Sequence, residues 1–274
     1  MLPALTLAAA LSLAPAQPAS SLTLTNLRAT YGQLGPTRPT AKYLPGDIVY
    51  LSFDVEGVNI PKDGKARYTL TTDVKDKAGK VKSQGDPVPR TDFAPLGGGK
   101  VPVLTFATLG VDSEPGEYTL KVTATDTSVT DPAKQPTGSV EYKFEVLKPE
   151  LGIVGVQVTS DKGGSFPTPT TGYVGQFLWI RYSAVGFKRD PAKKNQPDLK
   201  FEMTTLDEKG EPTLAAPLTY EAKALEDNQP VVTAWMYVPL TRTGKFTVRL
   251  KVTDNVAGKT ATFELPIKAI AVEK

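Results

Sequence analysis

The sequence predicts an all-β protein, two antiparallel β-sandwich domains in tandem behind an N-terminal export segment. Three observations carry this. Two blocks of the chain recur at nearly one spacing, each block alternates apolar and polar residues with the period of a strand, and 23 Gly and 24 Pro punctuate short runs rich in Thr and Val.

The chain begins with an apolar run from Leu2 to Leu13, broken only by Pro3, and Ala14-Pro15-Ala16 then places small residues at both positions of an A-x-A cleavage site. About 12 apolar residues followed by Pro15, Gln17 and Pro18 suit a secretory signal better than a buried element or a membrane span. Residues 1–16 are therefore read as a signal peptide and Gln17 as the first mature residue. The first Lys or Arg is Arg28, so the terminal amine alone supplies the positive start. No later stretch is apolar enough to span a bilayer, and a secreted or periplasmic location in a cell envelope is expected. The absence of cysteine favours a bacterial envelope over a disulfide-rich secretory setting.

Duplication is the strongest signal in the remainder. Gly46 to Gly57 (GDIVYLSFDVEG) aligns without gaps on Gly175 to Gly186 (GQFLWIRYSAVG), 129 residues on, and Gly116 to Asp126 (GEYTLKVTATD) aligns on Gly244 to Asp254 (GKFTVRLKVTD), 128 residues on. Such a period is far longer than the roughly 20 to 50 residues of a solenoid repeat, so each copy needs its own core.

Every block reads as a half-buried strand. Val49, Leu51, Phe53 and Val55 share one face, repeated by Leu178, Ile180, Tyr182 and Ala184. Tyr118, Leu120, Val122 and Ala124 are matched by Phe246, Val248, Leu250 and Val252. Closing strands follow, with Val140, Tyr142, Phe144 and Val146 inward in one copy and Ala261, Phe263, Leu265 and Ile267 in the other. Pro266 lacks an N–H for a ladder, which predicts a sheet edge beside it.

The run from Gly244 to Asn255, followed by Gly258-Lys259-Thr260 and an alternating strand, resembles the final hairpin of bacterial immunoglobulin-like and PKD-type modules, as does Gly116 to Asp126. The resemblance implies an immunoglobulin-like sandwich in each copy, with the aromatic two residues after the glycine at the start of the penultimate strand. There a tyrosine hydroxyl can bond back to the backbone, which Tyr118 can do and Phe246 cannot. The Trp-Asp-Phe-Gly-Asp-Gly-like run of PKD domains and the Cys-Trp-Cys pattern of antibody domains are both missing, so the resemblance is generic. The domains should run from 21 to 147 and from 151 to 274, joined by Lys148-Pro149-Glu150, a linker short and stiff enough to restrict relative motion.

Composition narrows the chemistry. With no His and no Cys there is no Ser-His-Asp triad, no thiol nucleophile and no His-ligated zinc. A formal charge of +3 from 32 basic and 29 acidic residues is too balanced for a nucleic-acid partner. No catalytic residue, cofactor or metal site is expected. Asp126, Asp131, Asp254 and Asn255 near the hairpin turns are explained by turn chemistry, since no D-x-[DN]-x-[DN]-G loop is present.

Two groups remain as candidate binding residues. Tyr50 and Trp179 occupy equivalent outward positions, beside Ile48 and Phe177, where aromatic rings can meet a sugar or a protein partner or pack at the domain junction. Lys188, Arg189, Lys193 and Lys194 form the densest positive cluster, in the loop after the first repeated strand of the second copy; a solvated tip is its plainest reading. The phase of Trp235 and Tyr237 against Ala234, Met236 and Val238 is open, with core expected for the two aromatics. The loop 125–138 is longer than its counterpart, as loops that carry recognition often are. The functional expectation is a non-catalytic structural or interaction protein of the cell envelope, with an envelope or extracellular protein as partner; the alternative is a carbohydrate-binding module that uses the outward aromatics on a polysaccharide.

Overall fold

The computed structural model describes residues 21–223, 225 and 229–272, and the expected signal peptide lies outside the described residues. The first half of the chain forms β1 (Thr23–Thr30), β2 (Lys42–Tyr43), β3 (Ile48–Glu56), β4 (Lys65–Asp76), β5 (Val81–Gln84), β6 (Val88–Phe93), β7 (Lys100–Thr108), β8 (Gly116–Asp126) and β9 (Thr137–Val146). The second half forms β10 (Gly152–Thr159), β11 (Thr171–Tyr173), β12 (Phe177–Val185), β13 (Leu199–Leu206), β14 (Leu218–Ala222), β15 (Val232–Pro239), β16 (Gly244–Asp254) and β17 (Lys259–Ile270). Among the described residues helix is confined to two single 3₁₀ turns, Pro132–Lys134 and Pro191–Lys193, and no helix is long and apolar enough to cross a membrane.

In the first half a sheet ordered β1-β3-β7 faces one ordered β2-β9-β8-β4-β5, with β6 also paired to β4; in the second, β10-β12-β15 faces β11-β17-β16-β13-β14. These are immunoglobulin-like sandwiches, antiparallel except where β2 runs parallel to β9 and β11 parallel to β17. The alternation seen in the sequence sets which face is buried. Val49, Leu51, Phe53 and Val55 of β3 and Leu178, Ile180, Tyr182 and Ala184 of β12 are all buried, each large side chain contributing about 1.5–3 kcal/mol of transfer free energy. The apolar core falls into two clusters, one drawn from positions 22–146 and the other from 151–269, and the stretch between β9 and β10 carries no strand.

The duplication extends to fine detail. Each first strand has a bulge at equivalent places, between Thr25 and Arg28 in β1 and between Val154 and Gln157 in β10, where Asn26 and Gly155 take φ of 55° and 59°. Tyr118 donates its hydroxyl to the Glu114 carbonyl at 2.7 Å, the back-bond expected at that corner. The edge expected at the Pro266 end of the last strand is met only at Pro266 itself, since Lys268–Ile270 beyond it pair with β11 and β17 is an interior strand. Lys268 N–H reaches the β11 side by donating to Thr170 O, so the Pro266 nitrogen two residues earlier points the same way, ahead of the point where β11 joins.

Candidate functional site

The two equivalent aromatics meet different fates. Tyr50 pairs with Thr30 on β1 and Phe106 on β7, and it is only 7% exposed. Burial pushes its hydroxyl pKa up, against a smaller opposing effect of the Arg181 guanidinium from the second sandwich. Tyr50 is thus outward from its own core yet covered, and the expectation of a platform residue is corrected. Its neighbour Phe106, ring centroids 5.8 Å apart, is the exposed aromatic on that face, at 54%.

Trp179 lies on an open face. On β12 the residues Phe177, Trp179 and Arg181 point away from the core, and across the ladder on β15 they meet Pro239, Tyr237 and Trp235. The Trp179 and Tyr237 rings lie 4.9 Å apart at 38°, Phe177 and Tyr237 6.0 Å apart at 50°, and the Arg181 guanidinium sits 5.3 Å from the Trp235 ring centroid. Phe177 is 50% exposed and Tyr237 45%, while Trp179 and Trp235 are half-buried. The loop after β10 folds over Trp235 so closely that a Cβ on Gly164 would come within 2.7 Å of its ring. Core placement of Trp235 and Tyr237 is therefore also corrected. Their phase is fixed by β12, because Ala234, Met236 and Val238 stand opposite the buried Tyr182, Ile180 and Leu178 and so take the inward side. The unbroken aliphatic set was the available clue. Beyond Arg181 the face ends in Ser183 and Thr233, whose hydroxyls bond each other at 2.8 Å. Round the edge of β15, Tyr237 also borders an apolar cleft of about 230 Å³, lined by Met203, Leu218, Val238, Leu240, Phe246 and Ile267.

The basic loop is a separate feature. It leaves the far end of β12, six residues beyond Trp179 at Val185, or about 20 Å along an extended strand. Lys188 is held by its backbone, N–H to Asp254 Oδ2 at 2.8 Å. The Arg189 guanidinium donates to the Asn195 carbonyl at 2.9 Å and to the Gln229 carbonyl, and it lies 5.4 Å from the Phe187 ring centroid. Lys193 Nζ stands 3.9 Å from Asp190 and 3.8 Å from Asp198, and Lys194 closes the 3₁₀ turn with φ of 55°. Arg189 and Lys193 thus serve the loop's own structure, and the cluster does not combine with Trp179 into one site.

The acidic turn residues hold loops to strand ends. Asp126, buried, accepts Asn59 N–H at 2.7 Å and Ser128 N–H at 2.8 Å; Asp254, fully buried at the equivalent place, accepts from Lys188, Val256 and Ala257 at 2.8, 3.0 and 3.1 Å. Asp131 caps the 3₁₀ turn of the 125–138 loop, and Asn255 bonds Asp198 at 2.8 Å. In Asp126 and Asp254 both carboxylate oxygens thus accept backbone N–H groups, the turn chemistry that the sequence suggests.

No protein-family model and no curated protein matches the chain. Among solved structures it is similar to red sea bream transglutaminase, with 13% identity over 94% of this chain and 32% of that one and a TM-score of 0.27. It is likewise similar to Escherichia coli alpha-2-macroglobulin activated by porcine elastase, with 12% identity, 93% and 22% coverage and a TM-score of 0.28. A glycosyl hydrolase family 2 member from Bacteroides cellulosilyticus DSM 14838 shares 9% identity over 81% of this chain and 28% of that one, with a TM-score of 0.35. The chain spans a third or less of the length of each.

Proposed function

We propose that this chain is an exported, non-catalytic interaction protein of the cell envelope, and that it engages a partner protein through the outer face of β12 and β15. The observation that carries this reading is the row of Phe177, Trp179, Tyr237 and Trp235 with Arg181 at its end, on a sheet face over which no described strand packs and which the loop after β10 meets at Trp235. Trp, Tyr and Arg are the residue types whose burial contributes most to protein interfaces, because they add large area at small entropic cost and keep a polar tip. A chain without His or Cys fits a binding role better than catalysis. The adjacent Trp179 and Tyr237 rings also support a second reading, stacking on the sugar rings of a polysaccharide.

The mature chain from Gln17, offered in parallel to solubilised envelope proteins and to a polysaccharide array, tests both. Saturable capture of one protein that is lost in Trp179→Ala and Tyr237→Ala supports the first reading, and glycan retention lost in the same variants supports the second. Capture unchanged in both variants sinks the aromatic face as the binding surface.

A further inference from the structure

We infer that the two sandwiches form one rigid body, held by a keyed junction in which Asp47 of the first is the positioning residue for the second. Asp47 is a buried carboxylate at the turn into β3. Its Oδ2 pairs with Arg38 at 3.0 Å, and its Oδ1 accepts Ile48 N–H at 2.8 Å and, across the junction, Gly155 N–H at 3.0 Å. Arg38 is itself fixed, donating to the Lys42 carbonyl at 2.9 Å and lying over the rings of Tyr31 at 4.6 Å and Tyr43 at 4.0 Å. Tyr31 then meets Phe263 of β17 edge-on at 4.8 Å. One chain of contacts thus runs from the β10 bulge through Asp47 and Arg38 to Tyr31 and back into the second sandwich.

Close backbone approach surrounds this key. A Cβ on Gly32 would stand 3.0 Å from Gln157 Cα, one on Gly46 3.0 Å from Val185, and one on Gly152 would run into Leu44. Rotation about the linker would break the bond from Gly155 N–H to Asp47 Oδ1, leaving the carboxylate with only Arg38 and the Ile48 N–H of its own sandwich and costing a hydrogen bond to a charged acceptor. The duplication sharpens the point. At the positions 129 residues on, Gln176 stands in place of Asp47 and Pro167 in place of Arg38, and Gln176 turns to its own Tyr173 N–H at 2.8 Å. In the other bulge, Asn26 satisfies its side chain on Asp54 at 2.7 Å within its own sandwich. Among the described residues, the bond between Asp47 and Gly155 thus has no counterpart at the equivalent Gln176 and Asn26.

The lack of native cysteine allows a direct test in the full chain. Spin labels at Lys143→Cys on β9 and Thr262→Cys on β17, both exposed strand positions, report the distance between the sandwiches by pulsed electron resonance. One narrow distance is expected. Asp47→Ala should spread it into several, and Asp47→Asn, which keeps an acceptor for Gly155, should largely restore it. Gly152→Val, which wedges Leu44 and leaves Asp47 alone, should displace the mean, and it decides the matter if Asp47→Ala does not fold. A broad distribution in the parent, or an unchanged one in the folded Asp47→Ala protein, overturns the inference; where Asp47→Ala does not fold, an unchanged mean in Gly152→Val does so.

Discussion

Replacing Asp254 by Ala should weaken the second sandwich more than any surface change. Its carboxylate is fully buried and accepts three backbone N–H groups, from Lys188, Val256 and Ala257, so it fastens the 187–197 loop to the end of β16. Hydrogen bonds to a charged acceptor are worth about 1.5–3 kcal/mol each, and donors left unpaired in a buried place keep their desolvation penalty, while some water reaches the loosened loop. A net cost of about 3–5 kcal/mol follows, a large part of the roughly 5–15 kcal/mol that a domain has. With a urea m-value of about 2 kcal/mol/M, the midpoint should drop by about 2 M. Both tryptophans, Trp179 and Trp235, lie in the second sandwich, so their fluorescence follows that half while circular dichroism follows both. Asp254→Asn keeps an oxygen for Val256 and Ala257 but turns an amide donor toward Lys188 N–H, and it should fall between Ala and the parent. A change in Asp254→Ala below about 0.5 kcal/mol, the size of an ordinary surface substitution, would refute the clamp.

Two pH-dependent outcomes follow from the same sheets. Hydrogen bonds from Lys200 at 3.0 Å and from Lys251 hold the Glu202 carboxyl below the usual range, so its contribution is present above the unfolded value and lost as pH falls through the lower folded one; Glu202→Gln should cost about 1 kcal/mol near neutrality, with the gap to the parent closing in acid when fluorescence-detected urea midpoints are compared. Burial drives the hydroxyl pKa values of Tyr43, Tyr68 and Tyr182 well above 10, helped at Tyr43 by the bond to Tyr142 and at Tyr68 by that to Asp92, so stability intact below about pH 10 should fall above it; ultraviolet absorbance should show these three ionising only as the sheets unfold, and their titration in the folded protein would contradict the burial.

The division between what was legible and what was not follows physical range. Alternation is a property of consecutive residues, so the inward sets of β3, β8, β12 and β16, the edge at Pro266 itself and the Tyr118 back-bond could all be read from neighbours in the chain, and duplication gave the number of cores. What covers an outward residue is a property of distant chain. Tyr50 and Trp179 sit at one position of one repeat, yet the first is buried beside Phe106 and the second is half-buried beside the exposed Tyr237, a difference set by what the rest of the chain packs against each face. The partner that consumes Arg189 is a carbonyl 40 residues away, and the one that engages Asp47 is an N–H 108 residues away. Strand period and copy number were therefore fixed by local chemistry, whereas the exposed aromatic face and the junction were decided by long-range packing, which removes some side chains from water and leaves their sequence equivalents in it.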